Sequence, residues 1–506
     1  MMRYLQNPTR MAAILCLLFI FQSCSKDADL LSDYVINNEK SLALQKYVVN
    51  DQFYVTNSNS IILDVLNNDR FNNPQGVTIT ETSLPENGNV VINSDNTLTY
   101  SPKTEVTETQ EFTDTFTYTA EEVQEDGTTT EEEGTVTVSN DDVHRTPTSI
   151  SAKVQKWKKL FDEQVLDDQY QLSLSLSNNL GDLYYLDVSP YVYMFQVTGE
   201  DSYMDFAMKL FKNRMDNAIV AKNVYNSNYT QSFNDSYLTW ICDGDGVTKQ
   251  CQENTGEISL NESRAMRTVA RMLYVLSKSP SYLERNNNQE NFENMLSWFQ
   301  TNIWNKWIDR GLGHIYRSRT HMASHWAQIA WFLNKITGDE KYRKYYIGWS
   351  SGFLEGEFKG ESMRKQLREV NLSGKKGYVW NGAWGVMTGS NDISHANAEV
   401  ELMVLGAEMN DYWTLDDMDA LINTFDELIF VSNSWDESTY YIDGSGSGSA
   451  LWDQGWVQLG RFSQELQNKL ENAELLPPYF YYQKIRLANM AYNQAFLEQK
   501  LFYPEY

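Results

Sequence analysis

The chain has 506 residues, of which 42% are hydrophobic and 13% aromatic, and it carries a formal net charge of −27. That length and apolar share suffice to bury at least two cores. The acidic surplus excludes general nucleic-acid binding, which needs a positive surface, so any anionic ligand must be met by a local basic patch.

At the N-terminus Arg3 and Arg10 flank and precede the apolar run "MAAILCLLFIF", which is followed by "QSCSKDAD". This order reads as a secretory signal, and the run is too short to span a bilayer as a permanent helix. Phe21-Gln22-Ser23-Cys24 resembles the lipobox of bacterial lipoproteins, with a large apolar residue three before the cysteine and a small one just before it. The resemblance implies that residues 1–23 are removed, that Cys24 becomes the lipidated first residue, and that 24–45 form a linker. The acidic stretch after Cys24 resembles the surface-export signal of Bacteroidota lipoproteins, which implies an outer-membrane lipoprotein at the cell surface, touching the membrane through its lipid only.

Residues 46–140 alternate with period two in "SIILDVLNNDR", "GVTITETSLPENGNVVINSDNTLTYSP", "DTFTYTAEEV" and "GTVTVS". Threonine- and valine-rich runs broken by Asn-Asp, Asn-Gly and Asp-Asn turns predict an antiparallel β-sandwich. The strings "ILDVLNND" and "DTFTYT" resemble cadherin-like and bacterial immunoglobulin-like modules, which implies a spacer or adhesive domain. Thirteen acidic residues lie between Thr104 and Asp142. They suit a structural calcium ion or a solvated strand face; no other cofactor is expected. Residues 141–150, "DDVHRTPTSI", read as a linker.

Beyond residue 150 the apolar period becomes helical. Apolar helices start near Ser189, Arg264, His325, His395 and Asp453, about 60 to 75 residues apart, each followed by a turn and a second helix. In "VTGEDSY" and "ITGDEKY" a glycine ends one helix and an acidic residue caps the next. Between the first and second pair, Cys242 and Cys251 flank "DGDGVTKQ", where a disulfide is the simplest reading outside the cytoplasm and buried thiols are the alternative. A period of this length predicts stacked hairpins, open as a solenoid or closed as an (α/α) toroid, and the long glycine- and aromatic-rich insertions favour closure. The expected fold is therefore multidomain: a small all-β sandwich, then a large all-α toroid over 151–506. The helical part resembles the α-toroid polysaccharide lyases in repeat pattern and loop style.

Four of the five histidines, His314, His321, His325 and His395, fall within this helical part. In the repeat register Asn261 and Arg264 open one helix, His321 and His325 the next, His395 and Asn397 the third, and Asp453 with Trp456 the fourth. Helices starting at one end of a toroid bring these first turns to a common rim. "MRKQLREVNLSGKKGYVWNGAWG" adds Arg364, Lys365, Arg368, Lys375 and Lys376 beside Tyr378, Trp380 and Trp384. Cations suit a uronate or sulfate and aromatic faces suit sugar rings, so this loop reads as an anionic-glycan contact or as a solvated basic loop over core tryptophans.

The lyase resemblance implies β-elimination: a neutralised carboxylate, a base for the C5 proton and an acid for the departing O4. It implies Asn261 or Asn397 for neutralisation, His325 or His395 as base, Tyr378 as acid, and Arg364 or Arg368 as charge partner. Arg264, His321, Trp380, Trp384 and Trp456 complete the expected substrate-binding set. Three readings compete. His321 and His325, four apart on one helical face, with His395, suit zinc. Two carboxylates among Asp392, Glu399, Asp453, Glu262 and Asp243 would suit glycoside hydrolysis. A non-catalytic lipoprotein could hold glycan for neighbouring uptake proteins.

Overall fold

The computed structural model describes residues 48–503, except 49, 56, 67–68, 70, 72, 74–75, 108–111, 125–126, 141–149, 166–167, 225–231, 243–250, 252–254, 353, 432–436, 448–453, 474–479 and 499. The readings on the signal, Cys24, the two linkers, Asp243 and Asp453 therefore fall outside the described residues. Among the described residues, no helix is long and apolar enough to cross a membrane.

The first part is a small sandwich of strands β1 (Asp51–Tyr54), β2 (Ile61–Leu63), β3 (Val77–Thr82), β4 (Gly88–Ile92), β5 (Leu98–Pro102), β6 (Thr113–Val123) and β7 (Thr129–Ser139). One sheet runs β1-β7-β6-β3 and the other β2-β5-β4. Alternation puts Phe116, Tyr118 and Ala120 of β6 inward, where they share one core with Val136 and Val138 of β7 and Leu63, Leu98 and Tyr100 of the facing sheet. The expected all-antiparallel pairing is corrected at one edge, because β1 runs parallel to β7. No hairpin joins those two strands, so no turn dictates their relative direction.

The second part is largely helical. Its principal helices are α1 (Ala152–Val165), α2 (Ser189–Thr198), α3 (Asp201–Asp216), α4 (Ser259–Ser277), α5 (Gln289–Phe299), α6 (Thr320–Thr337), α7 (Glu340–Ile347), α8 (Ile393–Glu408), α9 (Leu415–Thr424), α10 (Gln464–Asn472) and α11 (Phe480–Leu497). Two kinds alternate. In α2 all ten residues are buried, as they must be in a helix covered on every side. In α3 the buried residues Tyr203, Met204, Ala207, Met208, Leu210 and Phe211 form one stripe, which marks a helix covered on one side only. The covered elements neighbour one another in the order α2, α4, α6, α8, the 3₁₀ segment Trp456–Phe462, α11, and then α2 again. Onto them pack α3, α5, α7, α9, α10 and α1, in the same order.

Gly199 and Gly338 end α2 and α6 in left-handed conformation, with φ of 68° at each, and Asp339 caps α7 through Lys341 N at 2.9 Å. Glu200 occupies the matching position before α3 but makes no side-chain cap bond. The helix expected near Asp453 and Trp456 is a seven-residue 3₁₀ segment instead. It approaches α8 so closely that a Cβ on Gly455 would lie 2.0 Å from the Asn397 carbonyl oxygen. The basic loop is a β-hairpin, Arg368–Leu372 against Lys375–Val379. Ser373 and Gly374, both at positive φ, turn it. Cys242 and Cys251 are joined by a disulfide with Cα atoms 4.9 Å apart. Asn410, at φ 48°, donates to the carbonyls of Leu66 and Asp69 at 3.0 and 2.8 Å, tying the end of α8 to the sandwich.

Candidate functional site

The starts of α4, α6 and α8 meet. Arg317, just before α6, donates to Ser259 Oγ at the start of α4 (2.8 Å). The rings of His321 on α6 and His395 on α8 lie 4.3 Å apart. His325 follows one turn behind His321, at 6.5 Å. The shared register of these three histidines therefore becomes contact in space.

Asp392 places the outermost ring. It caps α8 by accepting from His395 N at 3.0 Å, and its other oxygen meets His395 Nδ1 at 2.5 Å. That carboxylate raises the His395 pKa above its ordinary value although partial burial works against it. Burial works against ionisation of Asp392, but hydrogen bonds from His395 and Ser394 and the charge of His395 outweigh it and hold the carboxyl far below the usual carboxylate range. The His395 side chain is 55% exposed and Asp392 holds its Nδ1, which leaves Nε2 as the second ring nitrogen of a half-open imidazole. This is the arrangement of an oriented proton-transfer group.

The histidines beneath behave in the opposite way. Burial, the adjacent His395 and the guanidiniums of Arg319 and Arg317 push His321 down to about 3. Burial, Arg267, His321 and Arg264 hold His325 well below its ordinary value. Both are neutral imidazoles whose buried Nδ1 atoms meet no hydrogen-bond partner in the protein. Arg319 is exposed, and Arg264 is half-buried, its guanidinium 3.9 Å over the ring of Tyr184. Local positive charge thus faces an otherwise acidic chain. One turn below His395, Glu399 is fully buried, accepting from the Thr320 hydroxyl and from Asn391 Nδ2 at 3.2 Å. Burial lifts its carboxyl to about 7.

Other expected site residues have different work. Tyr378 is buried and donates to Asp417 on α9 at 2.9 Å, and Arg364 grips the same carboxylate at 2.6 and 2.7 Å. Among the described residues, their hydrogen bonds join Tyr378 and Arg364 to Asp417 and to each other rather than to a histidine. Lys365, Lys375 and Lys376 pair with Glu361, Glu427 and Glu369, and Arg368 donates to the Gly389 carbonyl. The hairpin is therefore a neutralised element rather than an open basic patch. Trp380 and Trp456 are fully buried and stack at 6.0 Å, while Trp384 is buried and donates to the Arg317 carbonyl at 2.9 Å. They form a floor and offer no open face to a sugar. Asn397 is buried, its Oδ1 accepting from Gly455 N and Trp456 N at 2.9 and 3.3 Å, which anchors the 3₁₀ segment. Asn261 is buried with its amide 3.5 Å from Cys251 Sγ. Glu262 is held by Lys306 and Trp307.

Among the described residues, no group of three or more His, Cys, Asp or Glu could hold a metal ion. The His321 and His325 rings stand at 78° to each other, and His395 Nδ1 meets Asp392. Two contributors escaped the sequence reading. Arg317 and Arg319 stand in "RSRTH" directly before His321, an adjacency that was open to inspection.

Comparisons with curated proteins and with solved structures give no match. Residues 45–139 match the family model described as the bacterial Ig domain, and with the two-sheet core of that segment this identifies it as a bacterial Ig-like domain placed ahead of a largely helical region.

Proposed function

We propose that residues 151–506 form an (α/α) toroid of helical hairpins that cleaves a uronate-containing polysaccharide by β-elimination. The neighbour order of the covered elements, which begins and ends at α2, supports the closed architecture. The observation that carries the chemistry is the half-exposed His395, fixed by Asp392 and set against the neutral His321 beneath Arg319. Arg319, with Arg317 and Arg264, neutralises the uronate carboxylate and so acidifies the C5–H bond. Nε2 of neutral His395 takes that proton. The C5–H electron pair forms the C4=C5 double bond, the C4–O4 bond breaks with its pair on oxygen, and the imidazolium returns the proton to O4. We further propose that the chain is held on the outer face of a bacterial outer membrane by lipid at Cys24, with the Ig-like domain as spacer, beside glycan-uptake partners.

A second reading is glycoside hydrolysis, favoured by the near-neutral carboxyl of Glu399. Incubation with soluble uronate polymers separates the two. Elimination yields one ultraviolet-absorbing double bond per cleavage, and His395→Gln reduces its rate by about 10² to 10⁴ with an unchanged melting curve. New reducing ends without absorbance would establish hydrolysis, and binding without cleavage would leave a capture protein.

A further inference from the structure

The tryptophans that looked suited to sugar rings are buried, yet two aromatic residues joined by backbone to the start of α8 have open side chains. Tyr440 and Tyr441 are 46% and 39% exposed. Their rings meet edge to face at 4.8 Å. The backbone fastens them to the start of α8: Tyr441 bridges Asp392, the Tyr440 carbonyl accepts from Ile393 N at 3.1 Å, and Ile442 N donates to the Asn391 carbonyl at 3.1 Å. A turn closes over their other side, with Tyr441 N on the Ser445 carbonyl at 3.0 Å. Gly446 sits where a Cβ would fall 2.9 Å from Tyr440 Cβ, so the turn can fold back onto the pair only as glycine.

We infer that Tyr440 and Tyr441 form a stacking subsite for the sugar ring next to the one whose bond is cleaved at His395. This rests on the polysaccharide reading above. A rigid aromatic face binds the apolar C–H face of a pyranose without paying to order a loop. Charge holds the reacting uronate, and stacking holds its neighbour. The subsite accordingly takes a pyranose of any charge and sets the register of the chain over His395.

The test uses the full chain with polygalacturonate, alginate, hyaluronan and chondroitin sulfate as probes. On whichever polymer the wild type cleaves, Tyr441→Ala and Tyr440→Ala raise KM about fivefold to tenfold each with kcat nearly unchanged. Tyr441→Phe, which keeps the ring, restores the wild-type KM. Wild-type cleavage with unaltered KM in both alanine variants overturns the subsite alone, as does a loss confined to kcat. A change of oligomeric state in the alanine variants assigns the pair to self-association and also overturns it. Failure of the wild type to cleave or bind any of the four polymers overturns the functional reading and this inference together.

Discussion

Three histidines within one group of helix starts have pKa values shifted in opposite directions, and position alone explains it. His395 keeps half its surface in water and a carboxylate at Nδ1, so its positive form is favoured. His321 and His325 are buried beside cations, so theirs is disfavoured. A base must be neutral to act, so activity rises with pH through a His395 pKa that lies above 6.5. Asp392→Asn keeps the helix cap, since Asn serves nearly as well as Asp there, but removes the charge that raises the imidazole. The acid limb of kcat/KM should then move to lower pH while the plateau falls, measured from pH profiles of both proteins. A limb that stays in place would show that Asp392 is only a cap. His321, His325 and His395 were legible because a register repeat predicts shared location. Tyr378 and Arg364 were not, because their partner Asp417 lies far along the chain and nothing in "MRKQL" announces a carboxylate from α9. Buried and open aromatic residues also read alike in sequence, which is why Trp380 and Trp456 were expected at a surface that Tyr440 and Tyr441 occupy.

At the scale of elements, alternation, turn residues and glycine caps were the reliable signals, since each follows from local geometry. The hairpin at 368–379 was hidden by its charge. "REVNL" and "KKGYV" around Ser-Gly satisfy strand and turn preferences, but the three cations Arg368, Lys375 and Lys376 equally suit an anionic ligand. In the sandwich, local geometry also explains two glycines. Gly88 and Gly134 face Tyr100 and Tyr118, where a Cβ would come within 2.2 and 2.4 Å of ring atoms. Tyr118 cannot swing aside, because its hydroxyl donates to Asp69 at 2.7 Å and lies 3.1 Å from the Val65 carbonyl. Gly134→Ala should therefore cost about 1–3 kcal/mol through overpacking. In the full chain, hydrogen exchange of the β6 and β7 amides should speed by about tenfold to a hundredfold while α4 and α6 exchange as before. Unchanged exchange in β6 and β7 would mean that the ring finds room elsewhere.

The scale of the whole molecule was the least legible, because the order of neighbouring helices depends on contacts between elements remote in sequence. One buried network joins four of the covered elements. Glu408 at the end of α8 accepts from Arg461 of the 3₁₀ segment at 2.7 Å and from the Tyr492 hydroxyl of α11, with Arg271 of α4 at 3.8 Å. Arg461 also donates to Asn489 and Asn493 at 2.8 and 3.1 Å. Glu408→Gln keeps the shape but leaves two buried guanidiniums without their counter-charge, a loss of about 3–5 kcal/mol. Because the network spans the order of neighbours from α4 to α11, the helical signal should still disappear in one transition, at lower temperature, rather than lose a single helix first. The sign with pH is fixed by the depressed carboxyl of Glu408, held below its ordinary 4.5 by Arg461 and Arg271. Such a group stabilises the fold above its unfolded pKa and loses that contribution as pH falls through its folded value. The melting gap between wild type and Glu408→Gln should therefore be widest near neutrality and narrow progressively below about pH 4.5. A gap that is constant across this range would place the loss in packing, and two separate helical transitions would show that the covered elements do not unfold as one closed set.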